Sequence, residues 1–264
     1  MGYQFCDCHT HSEFSACAED VTLAGYAERA RDTSLHFAIT DHSAQIFYPP
    51  DHRWGFWSDD AVEIFERCRP QGRRRIIEYV AAVRAAQRGN MLVGTELDVL
   101  PDGRMVFPEG VLGSLDVVLG AVHAMPTLRQ ERPLDEIHAE FRFQVEALAG
   151  HGMEVLVHPY RLLLAAEVPV GAELIGWTVR CAAERGFALE INSHKTYADH
   201  DLAMVRAAVA AGVPLAIGTD THRWSEFGDF SYHVEILERA GLPETSWPRV
   251  LWRPRPRRRE AAAG

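Results

Sequence analysis

The stretch CDCHTHSEFS, residues 6–15, places His9 and His11 one residue apart almost at the start of the chain. The histidines directly follow the β-rich run Tyr3–Cys8, so they stand at the end of a predicted strand. Three interpretations compete here. The stretch is a small cysteine/histidine zinc knot, a strand that happens to carry histidines, or the first corner of a catalytic metal site.

The faces of this predicted strand help to decide between them. Because side chains alternate along a strand, we expect His9 and His11 to share one face with Asp7. Cys6 and Cys8 are then expected on the other face, packed beneath outer helices as small apolar residues. A cysteine/histidine zinc site normally needs a second ligand pair with similar spacing, and the sequence has none. The zinc knot is therefore disfavoured.

Short apolar runs that favour β structure alternate with helix-like segments along the whole chain. The predicted strands are Tyr3–Cys8, Phe37–Thr40, Met91–Leu97, Val117–Ala121, Glu154–Val157, Ala188–Ile191 and Leu215–Ile217. The predicted helices are Leu23–Thr33, Asp59–Gly89, Pro133–Gly152, Ala172–Gly186, Asp201–Gly212 and Phe230–Gly241. This alternation predicts a parallel sheet with helices outside it, either an open sheet or a barrel.

Every predicted strand carries a metal-competent polar group at its carboxyl end. These groups are His9 and His11, Asp41 and His42, Glu96, His123, His158, Glu190 and Asn192, and Asp220 and His222. α/β barrels and open sheets build their sites at this end of the strands. One histidine after a strand is ordinarily structural or exposed, but such groups after every strand predict one convergent metal site.

Composition limits the classes of partner. The chain has 264 residues and a formal net charge of −10, and the five arginines and one glutamate of residues 253–264 leave −14 on residues 1–252. This acidity argues against nucleic-acid binding, since phosphate contacts need a basic face, and leaves only a nucleotide or short oligonucleotide as a nucleic-acid substrate. We expect one domain over residues 1–252 and a disordered basic tail over residues 253–264.

The cysteine count and the apolar runs indicate the compartment. The five cysteines do not show the spacing of a disulfide framework. The N-terminus lacks the pattern of a signal peptide, and no apolar stretch reaches the about 18 residues of a membrane span. We therefore expect a cytoplasmic protein with reduced thiols and no membrane contact.

The ordered strand-end motifs resemble the PHP family, the polymerase and histidinol phosphatase superfamily of metal-dependent phosphoesterases. The matching motifs are HTH (9–11), ITDHS (39–43), GTELDVLPDG (94–103), VH (122–123), VHP (157–159), LEINS (189–193) and GTDTH (218–222). The resemblance implies a single-domain, distorted seven-stranded (β/α)7 TIM-like barrel with a trinuclear metal centre at its carboxyl-terminal mouth. Chain length favours the stand-alone small phosphatases, including histidinol-phosphatase-like members.

The resemblance also implies which residues hold the metals. One ion would be held by His9, His11, Glu96 and Asp220. A second would be held by Glu96, His123 and His158, with Glu96 bridging the two ions. A third would be held by His42, His222 and the residue six positions after the second histidine of the HTH motif, which is Cys17 here.

Cys17 departs from the family pattern, in which histidine or aspartate is common at this position. A thiolate binds zinc at about 2.3 Å and disfavours manganese and magnesium, which prefer oxygen ligands. Glu19 or Asp20 is an alternative ligand if the loop bends, and a two-metal or water-completed site is a further alternative. The expected cofactors are two to three divalent ions of zinc, manganese or iron.

The implied reaction is hydrolysis of a small phosphomonoester by a metal-activated hydroxide. The expected catalytic residues are Glu96, Asp220 and His222. Groups just past the later strand ends are expected to bind the substrate phosphate, namely Arg161, His194, Lys195 and Arg223. Groups expected to orient the metal ligands or the substrate are Asp41, Glu190 and Asn192.

Two other functions compete with the phosphatase. A zinc amidohydrolase or deaminase also combines an HxH motif with a late aspartate, but a carboxylated lysine after a middle strand would favour it. Lys195 is the single lysine of the sequence and does not follow a middle strand. A non-catalytic, metal-stabilised binding module is the third interpretation. The substrate remains open among histidinol phosphate, sugar phosphates, nucleotides and short oligonucleotides, and so does the oligomeric state.

Overall fold

Seven parallel strands form a closed barrel in the computed structural model, which describes residues 3–53, 58–129 and 131–254. The strands follow one another around the barrel in chain order, and β1 pairs with β7 to close it. They are β1 (Cys6–Thr10), β2 (His36–Ile39), β3 (Met91–Leu97), β4 (Val117–Gly120), β5 (Val155–Leu156), β6 (Ala188–Asn192) and β7 (Leu215–Gly218). The predicted single-domain (β/α)7 TIM-like barrel is therefore confirmed.

α-Helices connect consecutive strands in the described ranges except β3 and β4, which are joined by a loop with the short 3-10 helix Leu112–Ser114. The α-helices are α1 (Leu23–Asp32), α2 (Ser43–Phe47), α3 (Ala61–Ala86), α4 (Leu134–Gly150), α5 (Arg161–Ala165), α6 (Ala172–Arg185), α7 (Ala198–Ala210), α8 (Ser231–Arg239) and α9 (Trp247–Val250). The long ones match the predicted helices, whereas α2, α5 and α9 have at most five residues and are too short to show a periodic pattern. No helix of the described chain is long and apolar enough to cross a membrane.

The first strand lies further along the chain than predicted. It covers Cys6–Thr10 because its ladder with β2 begins at the pair Cys6 and His36. Tyr3 and Phe5 lie before the ladder, and their rings pack against Trp247 at centroid distances of 5.8 Å and 5.3 Å. These aromatic residues therefore fix the entry to the strand without belonging to it.

The barrel has two apolar layers with different side-chain sizes. Small residues such as Ala38, Ala188 and Ala216 form a cluster inside the barrel. Larger residues of the same strands, including Phe37 and Ile217, face outwards and pack with the helices. Inward positions nearer the carboxyl ends of the strands are polar, so the metal-competent groups line the upper part of the barrel.

The expected faces of β1 are wrong for Asp7 and Cys8. The register between β1 and β2 shifts between Asp7 and Thr10. Asp7 is in register with the outward-facing Ile217, whereas Cys8 belongs to the interior cluster. A bulge interrupts strict alternation, and as a result Cys8 and His9 both point into the barrel. Cys8 is thus an interior residue and does not pack beneath the helices.

The C-terminal segment returns to the beginning of β7. The Trp252 amide donates to the Leu215 carbonyl oxygen at 2.7 Å, and the Trp252 side chain packs against the interior cluster. The Arg253 guanidinium lies over the Tyr3 ring at 5.3 Å. Most of the expected basic tail, residues 255–264, lies outside the described residues, so its disorder stays a prediction.

The buried imidazole of His233 on α8 should make the stability of the barrel depend on pH. Its Nε2 lies 3.1 Å from the Gly218 carbonyl oxygen, and burial lowers its pKa from 6.5 to about 4. The unfolded chain therefore binds the proton first, and stability is lost as the pH falls from 6.5 towards 4. From this residue we expect a loss of about 2 kcal/mol in the free energy of unfolding between about pH 7 and pH 5.

Urea unfolding of metal-free wild type and His233→Phe at these two pH values measures this contribution. Phenylalanine cannot ionise, so the variant should lose less stability on acidification than the wild type. It should be less stable at neutral pH, because it lacks the hydrogen bond to Gly218. The same acid-induced loss in both proteins would contradict the assignment.

Candidate metal centre

Imidazoles and carboxylates converge at the carboxyl-terminal mouth of the barrel. Short β-bridges extend the sheet there, since Thr10 pairs with Thr221 and His42 pairs with Glu96. These bridges bring the residues after β1, β2 and β7 to the same level as the end of β3. The strand-end residues predicted to meet therefore do meet.

Glu96 is the centre of this cluster and is fully buried. Its Oε2 lies 2.6 Å from His42 Nδ1, and its Oε1 lies 2.8 Å from His158 Nε2 and 3.2 Å from His123 Nε2. Burial raises the pKa of this carboxyl, but the surrounding imidazoles, His42 first, outweigh it and hold the pKa well below its usual range. Glu96 is therefore an ionised carboxylate with imidazoles on both of its oxygens.

Asp220 is the second buried carboxylate. Its Oδ1 lies 2.8 Å from His11 Nε2 and 3.5 Å from His9 Nε2, while its Oδ2 lies 2.7 Å from an Arg161 nitrogen. Burial raises its pKa, but the charges of His9 and Arg161 outweigh burial and keep the pKa well below its usual value. Asp220 thus joins the HTH motif of β1 to the cationic side chain after β5.

Two of the predicted ligands have left-handed backbone conformations. The φ angle is 30° at His158 and 54° at Asp220. Residues other than glycine rarely adopt such angles, and each costs on the order of 1–3 kcal/mol. Both side chains point into the same cluster. Other interactions of the fold therefore offset the cost of this strain at the positions where the ligands converge.

A second layer of polar groups holds the ligand imidazoles. Glu190 Oε1 lies 2.8 Å from His9 Nδ1, and Glu190 Oε2 accepts hydrogen bonds from the His158 amide at 2.7 Å and the Asn192 side chain at 2.9 Å. Asp41 accepts from the Ser15 hydroxyl at 2.6 Å. These contacts are those expected of residues that orient metal ligands.

Ser15 links Asp41 to His11 and His42 through hydrogen bonds. Its Oγ lies 3.2 Å from His11 Nδ1 and accepts from the His42 amide at 3.1 Å. Asp41 also accepts from the Ser12 amide and hydroxyl, both at 2.7 Å. The link from Asp41 to the ligands thus passes through a serine of the opening stretch.

Asp98 is a site residue that the sequence reasoning missed. Its Oδ1 lies 2.7 Å from His123 Nδ1, and it accepts from the Ala44 amide at 3.3 Å. Burial lowers the pKa of His123, but the carboxylates of Glu96 and Asp98 raise it to about 9. The sequence does contain a pattern that indicates this role. Asp98 stands two residues after Glu96, and this spacing places both side chains on the same face of a strand.

A third corner is formed by His42, His222 and Cys17. The Cys17 Sγ lies 3.2 Å from His222 Nε2, and the His11 ring is stacked on the His42 ring at 4.5 Å. Burial raises the pKa of Cys17, but hydrogen bonds with His222 and His42 outweigh it and lower the pKa to about 6. The alternative ligand Glu19 lies nearby but is paired with Arg223, with its Oε1 2.5 Å from an Arg223 nitrogen.

These residues fit a divalent metal cluster. The buried Nε2 of His9 has no hydrogen-bond partner among the described residues, although oxygens of Glu96 and Asp220 each lie 3.5 Å away. Several triplets of ligand atoms lie within 4.8 Å of one another, including His9–His11–Glu96, His9–His158–Asp220, His42–Glu96–His123 and His11–His42–His222. Imidazole and carboxylate ligands suit zinc, iron and manganese.

A cavity of ≈ 280 Å³ opens beside the cluster and is the candidate substrate site. Three of the four residues expected to bind phosphate line it, namely Arg161, His194 and Lys195. Arg223 is instead exposed at the rim, where it pairs with Glu19. The structure thus brings the first three to the metal ligands and directs Arg223 away from them.

The barrel and its cluster of ligands define a metal-binding α/β barrel protein. Residues 7–194 match the PHP domain, a range that covers most of β1, all of β2 to β6 and most of the predicted ligands. The chain belongs to the PHP domain family. The resemblance inferred from the strand-end motifs is therefore confirmed.

The chain is similar to bacterial proteins over nearly its whole length. It is 28% identical over 244 residues to a "Probable phosphatase" of Shewanella pealeana, covering 90% of this chain and 85% of that protein. It is 25% identical over 246 residues to a "Probable phosphatase" of Thermoanaerobacter sp., covering 90% and 87%. It is also 28% identical over 241 residues to the DNA polymerase/3'-5' exonuclease PolX of Bacillus subtilis, covering 90% of this chain and 38% of PolX.

The fold is also similar to that of a solved structure, histidinol phosphate phosphatase from Lactococcus lactis subsp. lactis, determined in complex with zinc, L-histidinol and phosphate. The TM-score is 0.51 at 17% sequence identity, and the match covers 91% of this chain and 95% of that one. At this identity the likeness supports the barrel fold alone.

Gly218 at the end of β7 allows the close packing of this centre. A Cβ at this position would lie 1.8 Å from Glu190 Oε1 and 2.8 Å from the Cβ of His9. Gly218→Ala should therefore displace Glu190 and with it the His9 ring. We expect zinc affinity, measured by competition with a chromophoric chelator, to fall about 10–100-fold.

Gly113→Ala is the matched control for this substitution. A Cβ at Gly113 would meet no atom within 4 Å. The control protein should bind zinc as tightly as the wild type. Equal zinc affinity of Gly218→Ala and Gly113→Ala would show that the packing around His9 does not hold the metal site.

Proposed function

We propose that the chain is a metal-dependent phosphoesterase that hydrolyses a small phosphomonoester of the histidinol phosphate, sugar phosphate or nucleotide class. The observation that carries this proposal is the buried carboxylate Glu96, on which imidazoles converge beside a cavity lined by Arg161 and Lys195. The names of the relatives agree with the enzyme class, a phosphoric ester hydrolase.

The protein would hold two to three divalent ions of zinc, manganese or iron. The proposed ligands are those implied by the family resemblance, His9, His11, Cys17, His42, Glu96, His123, His158, Asp220 and His222. When bound, such ions supply Lewis-acid stabilisation of the phosphoryl oxygens and lower the pKa of a water molecule. The chain itself contributes the fixed positions of Glu96 and Asp220, whose negative charge would stabilise cations bound among the imidazoles.

Arg161 is held by two neighbours at the place where a substrate phosphate would enter the cavity. It lines the cavity and its guanidinium contacts both Asp220 and Asn192. A guanidinium can bind two phosphoryl oxygens at once through parallel N–H donors. We propose that Arg161 binds the substrate phosphate and is held in position by these two neighbours.

His194 and Lys195 also line the cavity. The His194 ring is packed on His222 at 4.4 Å, and its Nδ1 lies 3.3 Å from Glu226 Oε1. Glu226 thereby fixes the ring through one nitrogen and leaves the other for the substrate. Lys195 is exposed at the rim of the cavity, where its charge attracts an anion.

The rival functions have less support. Lys195 follows β6 and is exposed, so the sequence has no lysine placed to serve as the carboxylated ligand of an amidohydrolase or deaminase. A non-catalytic module does not require a cavity in which cationic side chains stand beside the metal ligands. A measurement of phosphate release distinguishes both alternatives from the proposed phosphatase.

Asp220→Asn should abolish phosphate release. The amide keeps the shape of the side chain but lacks the charge that holds a cation, so we expect turnover to fall by about 10²-fold or more, together with metal occupancy. Phosphate is measured with histidinol phosphate, sugar phosphates and nucleotides, using protein loaded separately with Mn²⁺ and Zn²⁺. Asp199→Asn, a side chain that is 94% exposed on α7, is the matched control and should remain active.

Two results would contradict the proposal. One is full activity of Asp220→Asn, which would remove that residue from the site. The other is no phosphate release from any substrate by wild-type protein with bound metal. That result would favour a phosphodiesterase, a deaminase-like hydrolase or a binding module.

A further inference from the structure

We propose that Cys17 completes a thiolate-containing corner of the metal centre with His42 and His222, and that this corner selects zinc over manganese and magnesium. The inference rests on the proposed function only in that the same centre holds metal ions. It states that the Cys17 side chain determines which metal binds at this corner.

The contacts of His222 direct its metal-binding nitrogen towards the thiol. Its Nδ1 lies 2.6 Å from the Asp220 carbonyl oxygen, so Nδ1 carries the proton and donates to that oxygen. Nε2 is then the nitrogen with a free lone pair, and it lies 3.2 Å from Cys17 Sγ. Ligand atoms of His42, His222 and His11 lie within 4.8 Å of one another. The thiol thus stands at the edge of a preformed imidazole group.

The loop that carries Cys17 is fixed by its backbone. The Ala18 amide donates to the Ser15 carbonyl oxygen at 3.1 Å, and the Glu19 amide donates to the His222 carbonyl oxygen at 2.9 Å. The first closes the turn that contains Cys17, and the second ties the residue two positions later to the segment that carries His222. The backbone therefore places Cys17 beside His222.

Glu19 and Asp20, the alternatives to Cys17 as the third ligand, are both bound to other partners. Glu19 pairs with Arg223 at 2.5 Å, and Asp20 Oδ1 accepts the Trp224 amide at 2.8 Å. Either would have to give up this partner and the loop would have to turn before it reached His42. Among the candidates raised by the sequence, Cys17 is the one already in contact with the imidazoles.

The corners of the metal centre differ in their ligand atoms and therefore in the metals that they prefer. Soft thiolate ligands favour zinc and similar ions, whereas manganese and magnesium favour oxygen. The corners around Glu96 and Asp220 offer carboxylate oxygen with imidazole nitrogen, which zinc, iron and manganese all accept. We therefore expect zinc to fill the Cys17 corner, and manganese to fill only the corners that contain carboxylate.

Cobalt(II) provides a readout that is independent of activity. A thiolate bound to Co²⁺ absorbs in the near ultraviolet by charge transfer from sulfur to metal. Titration of metal-free wild-type protein with Co²⁺ should produce this band. Zn²⁺ should remove it by displacement, and an equal concentration of Mn²⁺ should not.

Cysteine variants assign the band to one side chain. Cys17→Ser should lack the charge-transfer band and should bind about one zinc ion fewer per chain. Cys181→Ser, which changes a buried cysteine of α6, is the matched control and should keep both the band and the zinc. Cys17→Asp should lack the band but bind manganese at this corner, because it restores an oxygen ligand.

The outcomes separate this inference from the proposed function. A charge-transfer band in Cys17→Ser, or none in the wild type, would overturn the inference whether or not the protein releases phosphate. A band that depends on Cys17 in a protein that releases no phosphate would support the inference and contradict the proposed function. If Cys17→Ser does not fold by circular dichroism, Cys17→Asp decides the question by its band and its manganese content.

Discussion

The structure depends on the burial of two ionised carboxylates, Glu96 and Asp220, among imidazoles at one end of a barrel. Removing a carboxylate from water is costly unless cations or hydrogen-bond donors surround it. Imidazoles after several strands supply these partners, and His9, His42 and His123 have raised pKa values because burial is outweighed by the carboxylates beside them. Bound metal ions would replace those protons with more concentrated positive charge.

Several features of the barrel follow from this constraint. Small interior side chains and Gly218 leave room for the ligands, since a Cβ at Gly218 would collide with Glu190. Glu190 and Asp98 hold the outer nitrogens of His9 and His123, so the inner nitrogens face the centre. Such outer hydrogen bonds orient metal ligands and tune their basicity. The fold thus provides geometry, charge and support from separate residues.

Much of this arrangement could be predicted from the sequence, because it depends on periodic patterns. Strand and helix alternation predicted a parallel sheet with helices outside it, and the strand-end positions predicted a convergent ligand cluster. The closed barrel and the central place of Glu96 were implied by the family resemblance. The bulge in β1 could not be read from the sequence, because a register shift depends on pairing with β2. The rim position of Arg223 could not be predicted from the sequence either. Its ion pair with Glu19 depends on how two loops distant in sequence meet in the folded chain. Asp98 was readable from its two-residue spacing after Glu96 but was overlooked.

The most direct test of the central claim is to locate the metals. Anomalous diffraction at the zinc absorption edge, from crystals grown with Zn²⁺, shows the position of each ion independently of activity. We predict peaks within coordination distance of Glu96, with its two oxygens contacting different ions and the imidazoles of His9, His123 and His158 completing the ligands. No anomalous peak at Glu96, with its carboxylate still paired to the imidazoles in zinc-soaked crystals, would contradict the account.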